Sequence, residues 1–402
     1  MEQERTIGNV NVLDLRSATE ASIAGITRIG NANIVVYSRE TAGLLTRINI
    51  GNANAMVEIP SEVKVETVTG QAVIKGDYFK DQEERLFLLG VGQVIIGPDV
   101  PAEEITRGLA GLVVVGQLVC PENLAGIVQS KTLSVTGQTK TYPPFDDVTL
   151  GSLVLDERAL AAMDDGSQLA VIGSLRIPQV VPNDLISRKL CEVYVSGSVL
   201  CYEENAAAIR KLLTDPSTKV VVIPSGFKLV DRSLDLDRSL LESIPPSKLY
   251  CRERVVVRTD VDPSLLDEKL EELSCEELAV VPRGLKEVLS RKCDLLQTEV
   301  VFYDGDLLLY ESEDVLRKTR FDHISEKATL FVEGELTIEE DLPADLLTER
   351  IAKVHNRGVI RCSPDQLGAI EALLGISDGT LVDVTETKEK KYWIGNVHYL
   401  TL

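Results

Sequence analysis

The sequence predicts an α/β fold: an elongated solenoid with a stacked parallel sheet, about twenty coils in five units of about 81 residues. Three recurrences predict it. One phrase repeats near the start as Ile7-Gly8-Asn9-Val10, Ile29-Gly30-Asn31-Ala32 and Ile50-Gly51-Asn52-Ala53, and Gly-Gln pairs continue it at Gly70, Gly92, Gly116 and Gly137. The glycine steps are 30 − 8 = 22, 51 − 30 = 21, 92 − 70 = 22, 116 − 92 = 24 and 137 − 116 = 21. Prolines that precede helix-like stretches are spaced 182 − 101 = 81, 263 − 182 = 81 and 343 − 263 = 80. Cys120, Cys201 and Cys362 follow strand-like runs at spacings of 81 and 161. Five units of 81 make 405, against 402 residues in the chain.

The elements of a coil follow in order. Residues 112–119 (LVVVGQLV) are β-rich, with a glycine in the middle. Continuous Val/Ile runs suit a parallel sheet covered on both faces. The glycine serves either a positive-φ bend or a close backbone approach between coils. Cys120-Pro121 ends the strand, and Leu124, Ile127 and Val128 then fall at helical spacing. Proline at the entry suits a first helical turn, where its missing N–H is no loss. Residues 360–375 (IRCSPDQLGAIEALLG) repeat the plan, with Ser363 as N-cap, Pro364 at the first position and Gly375 as the stop. The third coil differs. Residues 131–145, 218–230 and 298–310 hold strand residues but little helical period, so that rung returns through a loop or a second strand.

A strand-plus-helix coil cannot bury its apolar face alone; stacking closes the core. The chain is therefore read as one solenoid over 1–402, with units 1–86, 87–167, 168–248, 249–328 and 329–402. Gly92, Gly173 and Gly334, with Cys120, Cys201 and Cys362, are its expected structural ladder. Arg254 stands where the third glycine of that series belongs.

Lys and Arg number 42 and Asp and Glu 63, a net charge of −21. A phosphate lattice would repel such a surface, so nucleic acid and anionic membranes are excluded as partners. No apolar run approaches the ~18 residues of a membrane helix, so no membrane insertion is expected. The opening MEQERTIGNV lacks the basic and apolar regions of a signal peptide, and the seven Cys show no CxxC. Together these set a cytoplasmic expectation with reduced thiols.

Searching for chemistry yields no catalytic, cofactor-binding or metal residues. His323, His355 and His398 fall at unrelated phases, and no Walker loop, Rossmann fingerprint or nucleophile elbow occurs. The acidic groups Asp164-Asp165, Asp235 with Asp237, Asp260 with Asp262, and Glu339-Glu340-Asp341 suit acidic turns on an acidic protein, or a glycosidase or calcium site. The ends are more informative. Ile394-Gly395-Asn396-Val397 repeats Ile7-Gly8-Asn9-Val10 word for word, next to the only Trp, Trp393. Ile7, Val10, Trp393, Ile394, Val397 and Tyr399 are the candidate terminal assembly contacts; the other reading of Trp393 and its neighbours is an apolar lid over the end.

Coil length, strand-then-helix order and a Cys or small residue after the strand resemble leucine-rich-repeat solenoids, although the leucine-rich consensus with its asparagine ladder is absent. The Ile-Gly-Asn phrases of residues 7–55 resemble bactofilins, polymer-forming cytoskeletal β-solenoids. The resemblance is one of architecture, and it implies scaffolding or protein-interaction work. The first functional expectation is a non-enzymatic structural or scaffold protein that assembles head to tail through its terminal rungs. The alternative is a recognition solenoid that binds a protein partner along its lateral face, through exposed residues that break the repeat such as Arg254, Phe302, Tyr303 and Tyr310. The third is a β-solenoid hydrolase with a carboxylate site.

Overall fold

The structure is a computed structural model that describes residues 5–80, 84–145, 147–324, 326–384, 392–394 and 397–402. It is a mixed α/β protein of many parallel-strand sheets. The chain divides into two compact units, Met1–Val222 with Lys391–Leu402, and Ile223–Lys390.

In the first unit, β1 (Arg5–Asp14), β2 (Ile26–Tyr37) and β3 (Ile50–Glu58) pair in parallel. The next sheet is β4 (Lys64–Ile74), β5 (Leu86–Ile96), β6 (Leu109–Pro121) and β7 (Thr132–Tyr142), with helices Ala102–Gly108 and Ala125–Lys131 between strands. Further along the chain each strand is split at its bend, so that Ser167–Ile172 is followed by Leu175–Arg176, and the halves pair in two sheets side by side. The second unit repeats the split plan from Phe227–Val230 to Val300–Tyr303, and again from Leu307–Tyr310 to Thr380–Asp383.

The bend explains the glycines. Gly70, Gly92, Gly116 and Gly137 stand in register across β4 to β7. Their φ angles are 74°, 121°, 133° and 142°. A Cβ on Gly92 would lie 2.1 Å from the carbonyl oxygen of Gly70, and one on Gly116 would lie 2.0 Å from that of Gly92. Both readings of the glycine therefore hold at once: a positive φ, and a backbone directly under the next coil. Gly92, Gly173 and Gly334 do not touch one another. They occupy like places in different sheets, and the touching columns run coil to coil, as from Gly151 to Gly173 or Gly334 to Gly358.

The Val/Ile runs are buried on both faces, as the composition requires. On the helix side of β4 to β7, Leu88, Val114 and Leu118 share a core with Ile105, Leu124 and Val128. On the opposite face, Phe87, Leu89 and Val113 pack on Val12, Ile34 and Val57 of the preceding sheet. Ile95, Val119 and Tyr142 pack on Ala170 and Ile172 of the following one.

Pairing stops every three or four strands, where the sequence suggested one uninterrupted sheet. The breaks fall at turn residues: Pro60, Pro143-Pro144, Pro224 with Gly226, and Asp304-Gly305-Asp306. The last three lie in the third coils, 131–145, 218–230 and 298–310, that lacked helical period. New sheets start at Lys64, Asp147, Phe227 and Leu307, with steps of 147 − 64 = 83, 227 − 147 = 80 and 307 − 227 = 80. These steps lie near the 81-residue spacing of the prolines and cysteines. The boundaries 86/87, 167/168, 248/249 and 328/329 each cut a strand inside a sheet: Leu86–Ile96, Ser167–Ile172, Ser247–Cys251 and Ala328–Val332. Recurring glycines and prolines mark equivalent positions; only the turns mark where hydrogen bonding ends. Ser363 and Pro364 do open a helix, Pro364–Leu373, with a capping box. Gly375 is not its stop. It lies in the strand Leu374–Ser377, where a Cβ would meet the His355 ring at 2.6 Å.

Gly116→Ala is expected to cost about 2–3 kcal/mol in urea unfolding, because a Cβ has no space and φ is unsuited to alanine. Gly126, exposed in the helix Ala125–Lys131 with nothing within 4 Å of a Cβ, is the control. Gly126→Ala should stabilise by about 0.5–1 kcal/mol.

Candidate functional site at the chain termini

β1 pairs with β2 on one side. On its other side lie two strands from the end of the chain, Tyr392–Ile394 and Val397–Thr401, both parallel to it. The register sets Thr6 against Trp393, Ile7 against Ile394, Val10 against Val397 and Val12 against Tyr399. The duplicated word thus pairs with itself, in the register by which Ile7 already faces Ile29 and Val10 faces Ala32. Gly395 and Asn396 lie outside the described residues, and for Trp393 and Ile394 the backbone register alone is described. The candidate terminal assembly contacts are brought together within one chain.

Burial follows the register. Ile7 and Val10 are 2% and 1% exposed. Val397, Leu400 and Leu402 pack on the core that they form with Leu13, Ile29 and Ala32. Polar side chains run along the same sheet as amide ladders. Asn31 Nδ2 donates to Asn9 Oδ1 (2.8 Å), and Asn54 Nδ2 donates to Asn33 Oδ1 (2.8 Å). Asn33 Nδ2 donates to Asn11 Oδ1 (2.9 Å), and Asn11 Nδ2 donates to Nδ1 of His398 in the closing strand (3.1 Å). On the next sheet Gln71 donates to Gln93, and Gln93 to Gln117, at 2.6 and 2.5 Å. An amide ladder is therefore present, side chain to side chain, although the leucine-rich consensus is not. The repeated Ile-Gly-Asn and Gly-Gln phrases carried its signal.

One buried charge locks the closure. Asp14 is 3% exposed and receives Arg16 Nε and Nη2 at 3.0 and 2.8 Å. Tyr399 Oη donates to Asp14 Oδ2 at 2.5 Å. Arg16 Nη1 also donates to the carbonyl of Val63 (2.7 Å), in the turn before β4. Burial alone would raise the Asp14 pKa; the hydrogen bonds from Arg16 and Tyr399 outweigh it and hold the carboxyl below its ordinary 3.8. Burial, then the bond to Asp14, push the Tyr399 hydroxyl up to about 12. A buried carboxylate with a cation and a hydroxyl on it is satisfied, and loss of either donor would leave it costly.

The other singled-out residues are structural. Cys120, Cys201 and Cys362 are buried in separate helix-side cores, and burial pushes each thiol up to about 11, away from the thiolate a nucleophile needs. Asp237 and Asp262 cap helices, accepting from Leu240 N (2.7 Å) and Leu265 N (2.9 Å). Asp235 pairs with Arg258 and Asp165 with Lys189. His355 is 5% exposed and accepts from Ile376 N, and burial holds it at about 4, hence neutral at pH 7. Among the described residues no cluster suits a metal ion, and no helix is long and apolar enough to cross a membrane.

The residues named as a lateral recognition face are not exposed. Arg254 is 6% exposed and ion-paired to Glu311 and Glu333, carboxylates that its long side chain reaches on the sheets that follow. Tyr303 is 2% exposed and Tyr310 8%. Tyr303 Oη donates to Val257 O (2.8 Å) as Tyr142 Oη does to Ile96 O (2.8 Å), and 303 − 142 = 161 makes it a repeat position, not a departure. Phe302 is half-buried under Lys286. Comparison with protein-family models, with curated proteins and with solved structures finds no match.

The two shifts bracket a pH window. Asp14 stabilises the closure above its ordinary 3.8, and this is lost as pH falls through its lowered folded value. Tyr399 contributes below 10, and this is lost as pH rises from 10 to about 12. Trp393, the only tryptophan, reports the neighbouring strand. Its fluorescence should change between pH 10 and 12 in the wild type, and Tyr399→Phe should abolish that step while costing about 1 kcal/mol at neutral pH.

Proposed function

We propose that the protein is a non-enzymatic structural or scaffold protein of five four-rung units, in the cytoplasm, and that its C-terminal strand is the missing first rung of the first unit. One observation carries the reading: the last strands take the place beside β1 that β4 takes beside β5. Among the described residues the later sheets open with strands close in sequence to the next, whereas β1 is flanked by strands from residues 392–401. Five helix-side cores, in residues 7–53 with 397–402, 68–135, 153–222, 230–302 and 308–381, support the count among the described residues.

The same strand is the device for self-association. A terminal strand that fits the edge of β1 in its own chain fits the identical edge of a second copy, and such an exchange gives a head-to-tail contact. The buried glycines, raised thiols and capping aspartates speak against the carboxylate hydrolase, because each has a structural role already.

Val10→Cys with Val397→Cys, in a Cys191→Ser background that removes the exposed native thiol, tests it. Oxidised in dilute solution, the pair should form an intramolecular disulfide. Refolded together at high concentration, it should give a ladder of disulfide-linked oligomers on a non-reducing gel. Monomer alone at every concentration would remove self-assembly from the reading.

A further inference from the structure

The second compact unit contains a cleft whose chemistry departs from the repeat. Leu155, Leu236 and Leu316 are equivalent buried residues, spaced 236 − 155 = 81 and 316 − 236 = 80. Five residues on, Leu160, Leu241 and Phe321 are equivalent and buried in turn. Between these anchors, Asp156 and Asp237 cap helices Glu157–Ala162 and Arg238–Ser243, accepting from Ala159 N and Leu240 N at 2.7 Å each. The third copy has Arg317 at that place, and its turn, Lys318–His323, is a 3₁₀ helix with no side-chain cap. Ala159 and Leu240 become Arg320; Ala162 and Ser243 become His323. Three positions in one turn have changed from acidic, apolar or small to basic.

These residues line open space. A cavity of about 400 Å³ is bordered by Tyr310, Asp314, Arg317, Arg320 and His323. An adjoining one of about 220 Å³ shares Arg320 and His323 and adds Arg258 and Asp306. In this unit Arg238, Arg252, Arg254, Arg258, Arg283 and Arg357 all hold carboxylates. Among the described residues, Arg317 and Arg320 form no ion pair, in a chain with 63 carboxylates. Two guanidinium forks that line a concave site and are ion-paired to neither Asp314 nor Asp306 beside them are donors arranged for an external anion.

We propose that this cleft binds a small ligand with clustered oxyanions, two or more phosphate or carboxylate groups on one compact molecule. Two adjoining cavities that share Arg320 and His323 place donors for more than one anionic group, with Asp314 lining the first and Asp306 the second. The site goes beyond the scaffold reading and does not rest on it.

Calorimetric titration of the full chain with pyrophosphate and with citrate tests it, at low and at raised ionic strength. Saturable binding that weakens with salt is expected for at least one of them. Pyrophosphate alone assigns phosphates, citrate alone assigns carboxylates, and both together assign clustered charge. The triple variant Arg317→Asp, Arg320→Leu, His323→Ser writes in the residues of the preceding repeat, so the fold should keep its capped helix. It should bind at least tenfold more weakly. Arg320→Gln, a change of one exposed side chain, should also lose about tenfold and serves if the triple variant does not fold. No binding of either anion by the wild type, or equal binding by the variants, would overturn the assignment.

Discussion

A carbonyl oxygen about 2 Å from where a Cβ would stand, repeated coil after coil, is the constraint on which the structure depends. Parallel strands stack at about 4.8 Å, and a chain that bends sharply at the same point in every strand must pass over its neighbour's bend. From β4 to β7 only glycine allows that approach, and only glycine takes the positive φ of the bend there. Those glycines mark the bend, with side chains of the first half of the strand packed on the preceding sheet and those of the second half on the following one. Where the glycine column is replaced, as at Arg254, the position becomes an ion pair with Glu311 and Glu333 on the sheets that follow.

Because β4 to β7 are covered by helices on one face and by neighbouring sheets on the other, burial there passes from core to core. Val114 looks toward the helices and Val113 toward Val12 and Ile34, one residue apart in the same strand. A substitution that inverted this alternation would expose both sides at once. Two aromatics stand at junctions: Tyr142 and Tyr303 lie in the last strands of their sheets and bond back to a carbonyl of a preceding strand.

The closure by the last strands is a long-range event. Thr6 pairs with Trp393 across 393 − 6 = 387 residues, against 29 − 7 = 22 for the neighbouring rung. The logarithmic growth of loop entropy makes this only about 2.5 kcal/mol dearer, and less once the intervening chain is folded. The packing of half-buried Val397 and Leu400 on the core, the ladder to His398 and the bond from Tyr399 to Asp14 offset a term of that size.

The sequence by itself determined the local order and its period: strand, glycine, strand, turn and helix at steps near 22, with like residues returning near 81. These follow from short-range causes, β propensity, capping and the steric demands of glycine, and each is legible within twenty residues. The place of Cys120, Cys201 and Cys362 was legible for the same reason, since a small residue after an apolar strand is buried by its neighbours. Only the tertiary structure decided where sheets stop, which side chains of the Asn and Gln phrases meet, and that Tyr303 and Arg254 are covered. It alone decided that Val10 faces Val397 in the same molecule. The change from Asp156 and Asp237 to Arg317 was in the sequence all along, yet a basic residue in a turn means nothing until the cavity beside it is seen. Contacts between distant residues depend on where folded elements bring the chain, and no window of sequence contains that information.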